Sequence, residues 1–155
     1  MIAGGTVLPE LVLDVTPTLV ISAAIATRDF QDVHHDRDKA VARGSRDIFL
    51  NILTTTGLVQ RYVTDWAGPQ ALVRQVAIRL GVPCYAGDTL TFSGQAERAA
   101  DEPGQAASDG SGTDPVAGEY VIRVTGRCQL GDHVTGTVRI SLPRDATGSY
   151  AGGAA

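Results

Sequence analysis

Hydrophobic and polar residues alternate along four stretches in the second half of the chain. These stretches are residues 71–80, 87–98, 119–130 and 132–143. Successive side chains of a strand point to opposite faces, so a period of two predicts strands with one buried and one wet face. This pattern is typical of an antiparallel sheet. Gly131-Asp132, between the last two stretches, predicts a tight hairpin.

The period changes to that of a helix over residues 47–68. Apolar residues recur three or four positions apart, and a second set widens the stripe beyond one face, which predicts a long buried helix. Asp47 is expected to be its cap or an acid of its first turn, and Gly68-Pro69 is a stop signal. The sequence Thr-Thr-Thr-Gly at 54–57 has poor helix propensity, and its small residues suggest close approach by a sheet or a ligand.

The first part of the chain carries one further apolar stretch. Residues 18–30 are β-branched and apolar and follow Pro17, which predicts a strand ending near Thr27. The polar residues 31–46 predict a loop with one short helical turn. One strand, a long helix and four antiparallel strands make an α+β domain whose sheet wraps around a single helix. Such a sheet keeps an open edge, so we expect an oligomer.

The length of 155 residues suits one domain. We assign this domain to residues 1–143, with a flexible insertion at 99–118 and a disordered tail at 144–155, both rich in small and polar residues. No apolar run is long enough to span a membrane, and the first residues lack the pattern of a secretion signal, so a cytoplasmic protein is expected. The net charge of -4 argues against a nucleic-acid surface, which needs a concentrated basic face.

The segment 28–36, with the sequence Arg-Asp-Phe-Gln-Asp-Val-His-His-Asp, holds two of the three histidines of the chain. Asp29 and His34 follow the apolar stretch, and a carboxylate and an imidazole that converge on one water can perform general acid–base chemistry. The alternative is a solvated loop in which neither residue reacts. A metal site at His34, His35 and Asp36 is disfavoured, because adjacent side chains of an extended chain point apart.

Three other residues have side chains that could react or bind a metal, but each has a structural explanation. His133 is expected to be a surface or hydrogen-bonded histidine rather than a catalyst. Cys84 and Cys128 are expected to be buried thiols, since two distant cysteines suggest neither a disulfide framework nor a metal site.

The chain resembles the MaoC-like (R)-specific enoyl-CoA hydratase family, which has the hotdog fold. That family carries an Asp-x-Asn-Pro-x-His segment before its central helix and an alanine soon after, and Asp29, His34 and Ala40 match these positions. The turn Gly87-Asp88-Thr89-Leu90 matches the family's Gly-Asp-Thr-Leu. Within the family, the chain is most similar to the small MaoC-like subunit of actinobacterial steroid side-chain hydratases.

Two departures from the family pattern concern the site. Gln31 and Asp32 stand where the family has Asn and Pro, so the loop can take a different shape. Asn51 and Ile52 stand where the family has His-Gly at the start of the helix, and the backbone N–H of the second position forms the family's oxyanion hole. The resemblance therefore makes Asn51 and Ile52 the oxyanion and substrate-binding positions.

The reaction implied by the resemblance is addition of water across the α,β-double bond of an acyl-CoA thioester, with Asp29 and His34 holding the water. A steroid side-chain enoyl-CoA is the implied substrate, and because CoA is part of it, no separate cofactor is implied. The resemblance also implies a larger MaoC-like partner subunit. Arg74 and Arg79, or arginines of the partner, are candidates for binding the CoA phosphates.

Two alternative functions stay open. A hotdog thioesterase needs an acid on the central helix, for which Asp47 and Asp65 are the candidates. A non-catalytic scaffold or acyl-CoA-binding subunit would leave the chemistry to its partner, although such a subunit has no need of the pair Asp29 and His34.

Overall fold

The computed structural model describes residues 5–99 and 118–142. Its elements, in chain order, are β1 (Thr6–Asp14), α1 (Pro17–Ala26), a 3-10 turn (Asp32–His34), α2 (Arg37–Ala42), α3 (Ile52–Ala67), β2 (Leu72–Leu80), β3 (Thr89–Arg98), β4 (Glu119–Cys128) and β5 (Gly131–Ser141). The expected insertion, apart from its end residues 99 and 118, and the expected tail at 144–155 lie outside the described residues. No helix within the described ranges is both long and apolar enough to cross a membrane.

A single antiparallel sheet holds the five strands in the order β1-β3-β4-β5-β2, so β1 and β2 form its edges. Helix α3 packs against this sheet, and the side chains between them form the core, in which the ring of Tyr62 on α3 stacks on Phe92 of β3. The α+β prediction is confirmed. The four strands predicted for the second half begin and end within two residues of their expected positions.

The apolar stretch at 18–30 is a helix, so the strand predicted there is wrong. Thr16 caps α1 by accepting the Leu19 N–H at 3.1 Å, and Pro17 occupies the first turn, where its fixed φ favours a helix. These start signals outweigh the β-branched residues that follow. The remaining strand is β1, where Pro9 falls at an irregularity in the register with β3 and interrupts the alternation of a strand.

Helix α3 begins at Ile52 rather than at residue 47, because Asn51 and not Asp47 caps it. The backbone of Asn51 is extended, and its side-chain oxygen accepts the Thr54 N–H at 2.8 Å. Residues 48–50 form extended backbone that pairs with residues 84–86. This pairing brings the residues before α3 next to the 3-10 turn.

Glycines of the sequence lie at or next to several turns between the helix and the strands. Gly68 ends α3 as predicted, with a φ of 88° that is costly for other residues. Gly87, with a φ of 92°, opens the Gly-Asp-Thr-Leu turn into β3. The predicted hairpin joins β4 to β5, but its turn residues are Gln129-Leu130, and Gly131 already belongs to β5.

Gly136 of β5 lies where the edge strand β2 approaches most closely. A Cβ at this position would lie 2.3 Å from the carbonyl oxygen of Ala77 and 2.9 Å from Cα of Ile78, both backbone atoms. Gly136→Ala is therefore expected to lower the free energy of unfolding by about 2 kcal/mol, because the two strands must separate to admit the methyl group.

The matched control is Gly57→Ala on α3, where no atom lies within 4 Å of the added Cβ. Alanine has the higher helix propensity, so this variant should gain about 1 kcal/mol. Urea unfolding followed by circular dichroism measures both variants. Equal stabilities would contradict the close packing of β2 on β5.

Candidate active site

Asp29 lies directly after α1, in a turn that fixes its backbone. Its N–H donates to the carbonyl of Ala24 at 2.9 Å, and the N–H of Arg28 donates to that of Ile25 at 3.0 Å. This pair of bonds is the Schellman pattern that closes the end of a helix. Arg28 supplies the left-handed residue of the motif, with a φ of 57°. The end of α1 thus sets the position of Asp29.

His34 lies in the 3-10 turn, and its ring is held by the segment that precedes α3. Nδ1 of His34 is 2.8 Å from the carbonyl oxygen of Phe49, and the two rings meet edge-on with centroids 4.9 Å apart. A carbonyl oxygen only accepts hydrogen bonds, so Nδ1 carries the hydrogen. In the neutral imidazole, Nε2 is therefore a hydrogen-bond acceptor.

The structure brings Asp29 and His34 together. Nε2 of His34 and Oδ2 of Asp29 are 3.6 Å apart, and the two side chains are 10% and 23% exposed. This distance is too long for a direct hydrogen bond, and both atoms are acceptors when the imidazole is neutral. A single water can donate one hydrogen to each of them, which leaves its lone pairs free to face a third group. The arrangement suits general acid–base chemistry on that water.

Two other acids of the segment 28–36 have structural partners. Asp32 pairs with Lys39 at 3.4 Å and with Arg43 at 2.9 Å. Asp36 caps α2 by accepting the backbone N–H of Lys39 at 3.1 Å, and this bond holds the pKa of its carboxyl below the usual value. The solvated-loop alternative therefore describes this part of the segment.

Asn51 touches Asp29 directly. Its Nδ2 donates to Oδ2 of Asp29 at 3.0 Å and to Oγ1 of Thr27 at 2.9 Å, while its Oδ1 caps α3. The residue is buried. Since both amide hydrogens have acceptors within the chain, the side chain has no free donor for a substrate. That Asn51 is an oxyanion or substrate-binding position stays a prediction, and its side-chain amide holds the Asp29 carboxylate.

Ile52 occupies the first position of α3, next to Asn51. The first N–H groups of a helix have no acceptor within the helix, and the cap satisfies only that of Thr54. The side chain of Ile52 is 52% exposed. Its backbone N–H, at the positive end of the helix dipole, is thus suited to an anionic oxygen close to the Asp29 carboxylate.

His133 and His35 are not part of the pair. His133 is buried, with Nδ1 2.8 Å from the carbonyl oxygen of Val82 and Nε2 2.9 Å from Oγ1 of Thr55. Burial lowers its pKa. Of the two expectations for His133, the hydrogen-bonded one is confirmed and the surface one is wrong. The contact also confirms that the sheet approaches α3 closely at Thr55.

Cys84 and Cys128 lie together with Asp88, although they are far apart in the sequence. Their potential ligand atoms all fall within 4.8 Å of one another, and both cysteines are buried, as predicted. The carboxylate of Asp88 already accepts hydrogen bonds from Arg46 at 2.8 Å and from the Tyr85 N–H at 2.9 Å. Burial raises the pKa of Cys84, which keeps its thiol protonated. These contacts fix the turn that leads into β3.

The acids that a thioesterase would need have other partners. Asp47 lies outside α3 and pairs with Arg37 at 2.9 Å. Asp65 is exposed near the end of α3 and pairs with Arg61 at 3.3 Å. Neither has a contact with the Asp29 carboxylate within the described residues.

Two cavities of the chain lie away from the pair. One, of about 570 Å³, lies over β3 and β4, and the other, of about 170 Å³, lies between β1 and α3. Neither is lined by Asp29 or His34. Arg74 and Arg79 are exposed on the edge strand β2, where Nε of Arg74 donates to Oγ of Ser141 at 2.8 Å.

No family model matches the chain. The chain is 59% identical, over 138 residues, to the 3-oxo-4,17-pregnadiene-20-carboxyl-CoA hydratase beta subunit of Mycobacterium tuberculosis, which covers 89% of this chain and 95% of that protein. The chain belongs to the family of this hydratase subunit.

Solved structures agree with this assignment. The crystal structure of the ChsH1-ChsH2 complex from Mycobacterium tuberculosis matches with a TM-score of 0.76 and 58% identity, over 91% of this chain and 98% of that chain. The (R)-hydratase from A. caviae matches with a TM-score of 0.71 and 17% identity, over 92% of this chain and 98% of the other, which shows a shared fold. These matches confirm the hotdog fold and the MaoC-like family predicted from the sequence.

Proposed function

We propose that this chain is the water-activating subunit of a heteromeric enoyl-CoA hydratase. The observation that carries the proposal is the facing pair of acceptors, Nε2 of His34 and Oδ2 of Asp29, at 3.6 Å. The substrate class follows from the hydratase subunit with 59% identity, whose name specifies a 20-carboxyl-CoA thioester of a pregnadiene. We therefore propose a steroid side-chain enoyl-CoA as the substrate.

The pair can perform both proton transfers of a hydration. A water held between Asp29 and His34 forms a bond from its oxygen to Cβ while one of the two residues takes its proton. The electrons of the double bond move into the thioester carbonyl, which becomes an enolate. A proton delivered to Cα by the pair then restores the carbonyl. Which residue acts as the base at each step stays open.

The enolate oxygen needs a hydrogen-bond donor at the moment its charge develops. The backbone N–H of Ile52 is proposed for this role, since it lies at the N-terminus of α3 beside the residue that contacts Asp29. A donor of this kind stabilises such a transition state by about 3 kcal/mol. A backbone donor does not depend on the side chain, so the replacement of the family's glycine by isoleucine preserves it.

Two exposed apolar residues follow residues of the site directly in the sequence. Phe30 follows Asp29 directly and is 65% exposed, and Leu53 follows Ile52 and is 53% exposed. Exposed apolar side chains at a site suit an apolar acyl group and a second subunit that covers it. We therefore propose that a larger MaoC-like partner completes the site.

Two further parts of the proposal come from the chemistry. Hydration of a thioester neither oxidises nor reduces its substrate, so no cofactor is proposed beyond the CoA that the substrate carries. The cytoplasmic location expected from the sequence remains part of the proposal.

A scaffold role is less well supported, because a scaffold needs no buried histidine facing a carboxylate. Thioesterase activity is less well supported, because Asp47 and Asp65 are paired elsewhere.

The test is an assay of the chain copurified with its larger partner. With 3-oxo-4,17-pregnadiene-20-carboxyl-CoA, we expect the absorbance of the conjugated thioester to fall as water adds. With the saturated thioester and a thiol reagent, we expect no release of CoA. Release of CoA would favour the thioesterase, and binding of either thioester without turnover would favour the acyl-CoA-binding subunit.

A further inference from the structure

We propose that Asn51 is the positioning residue of this site, one that fixes the Asp29 carboxylate from the N-terminus of the central helix. The proposal rests on the proposed function and deepens it. Asn51 contacts the carboxylate directly and stands at the position where the family has a histidine. The sequence alone did not predict this contact.

The orientation of the Asn51 amide is determined by its partners. The N–H of Thr54 can only donate, so the atom that faces it at 2.8 Å is Oδ1. The Asp29 carboxylate can only accept when ionised, so the atom that faces it at 3.0 Å is Nδ2. The hydroxyl of Thr27 donates to the carbonyl of Ala23 at 2.8 Å, which leaves it free to accept the second amide hydrogen.

This hydrogen bond affects the reacting oxygen itself. Asn51 donates to Oδ2 of Asp29, the same atom that faces His34. The bond restrains rotation of the carboxylate, together with the bond that the Gln31 N–H donates to Oδ1 at 3.3 Å. It occupies one of the lone pairs of Oδ2 and leaves another for the water. The amide therefore sets the orientation that the water requires.

The first turn of α3, which Asn51 caps, is tied to the sheet. The backbone N–H of Thr55 donates to the carbonyl oxygen of Asn51 at 3.1 Å, and Oγ1 of Thr55 lies 2.9 Å from Nε2 of His133. Nδ1 of His133 must donate to the carbonyl of Val82, 2.8 Å away, so Nε2 of the neutral ring accepts the hydrogen of the Thr55 hydroxyl. The first turn of α3 is thus tied to β5 behind the site. This anchoring fixes the backbone of the residue whose amide contacts Asp29.

Asn51→Ser separates positioning from capping, because serine caps a helix about as well as asparagine but cannot reach the carboxylate with an amide. In the complex with the partner, we expect kcat to fall by about 10- to 100-fold and KM to stay within about threefold, as for other groups that orient a reacting residue.

Asn51→Asp keeps the cap and replaces the donor with a second carboxylate beside Asp29. Two carboxylates this close share one proton when the pH falls, and the shared proton restores a hydrogen bond. Activity of this variant should therefore recover partly at low pH, whereas that of Asn51→Ser should not. Thr16→Ala is the matched cap control, since it removes the cap of α1 far from the pair. It should lower the melting temperature but leave kcat and the pH profile unchanged.

A second readout separates this proposal from the proposed function. With ¹³C-labelled aspartate in this subunit, the Asp29 carboxyl signal is identified by NMR through its loss in Asp29→Asn. In Asn51→Ser its chemical shift at the assay pH should change, because the carboxyl loses the hydrogen bond from Asn51. That change without hydration by the wild-type complex would support the positioning role and refute the hydratase. An unchanged chemical shift, or a change in KM alone, would overturn the positioning role even if the wild type is active.

Discussion

Asp29→Asn is expected to lower kcat/KM for hydration of the enoyl-CoA by about 10³-fold. Asparagine has the size of aspartate and can still accept the Asn51 amide hydrogen through its oxygen, so the turn after α1 should keep its shape. What changes is the charge and the basicity, because a neutral amide oxygen can still face the water at the Oδ2 position but cannot take its proton. Loss of the conjugated thioester absorbance, followed in the complex with the partner, measures the effect.

The matched control is Asp32→Asn, in the same segment. Asp32 pairs with Lys39 and Arg43, whose side chains are exposed, and such pairs contribute little to stability. This variant should keep its activity within about twofold. Gel filtration with the partner confirms that each variant assembles. Activity of Asp29→Asn close to that of wild type would contradict the assignment of the water-holding pair.

The sequence predicted the pair and the helix-in-sheet architecture for different physical reasons. The strands of the second half have one face on the core and one in water, and this asymmetry appears directly as alternation. The pair was visible because Asp29 and His34 stand only five positions apart at the end of an apolar stretch, and the resemblance to MaoC-like hydratases made this pattern specific. Their mutual approach to 3.6 Å depends on the Schellman turn and on Phe49.

What the sequence did not predict depends on contacts between distant segments. The strand prediction for 18–30 rested on β-branched residues, while the cap at Thr16 decided the helix. Asn51 is a common capping residue, and that signal would have placed the start of α3 correctly. Its second contact, with Asp29, joins the end of α1 to the start of α3. A contact between such distant segments produces no pattern in the neighbouring sequence. The proximity of Cys84 to Cys128 could likewise not be predicted from their spacing in the sequence.

The open position of the pair supports the proposal that a partner subunit completes the site. A reaction that forms an enolate requires a dry environment, since water weakens every electrostatic contact with the developing charge. The side chain of His34 is mostly buried, but the flanking Phe30 and Ile52 are more than half exposed. A partner that covers these side chains would bury the substrate and dry the site in one step. The chemistry proposed for this chain therefore depends on assembly.

His34→Gln tests whether the two residues act as one unit. Glutamine keeps a polar side chain of similar length but lacks the titrating nitrogen, so kcat/KM should fall by about 10³-fold. In the double variant with Asp29→Asn, the loss should exceed that of the worse single variant by no more than about tenfold, because both residues serve the same water and either loss removes it. Rate measurements on the two single variants and the double variant form the cycle.

His35→Gln is the matched control for the imidazole. His35 is the neighbour in sequence, and its backbone rather than its ring closes the 3-10 turn. Its replacement should leave kcat/KM within about twofold if His34 alone acts with Asp29. A strong loss of activity in His35→Gln, with normal activity in His34→Gln, would assign the catalytic role to His35 instead of His34. Losses that multiply in the double variant would mean that Asp29 and His34 act on different groups, and the single shared water would then be refuted.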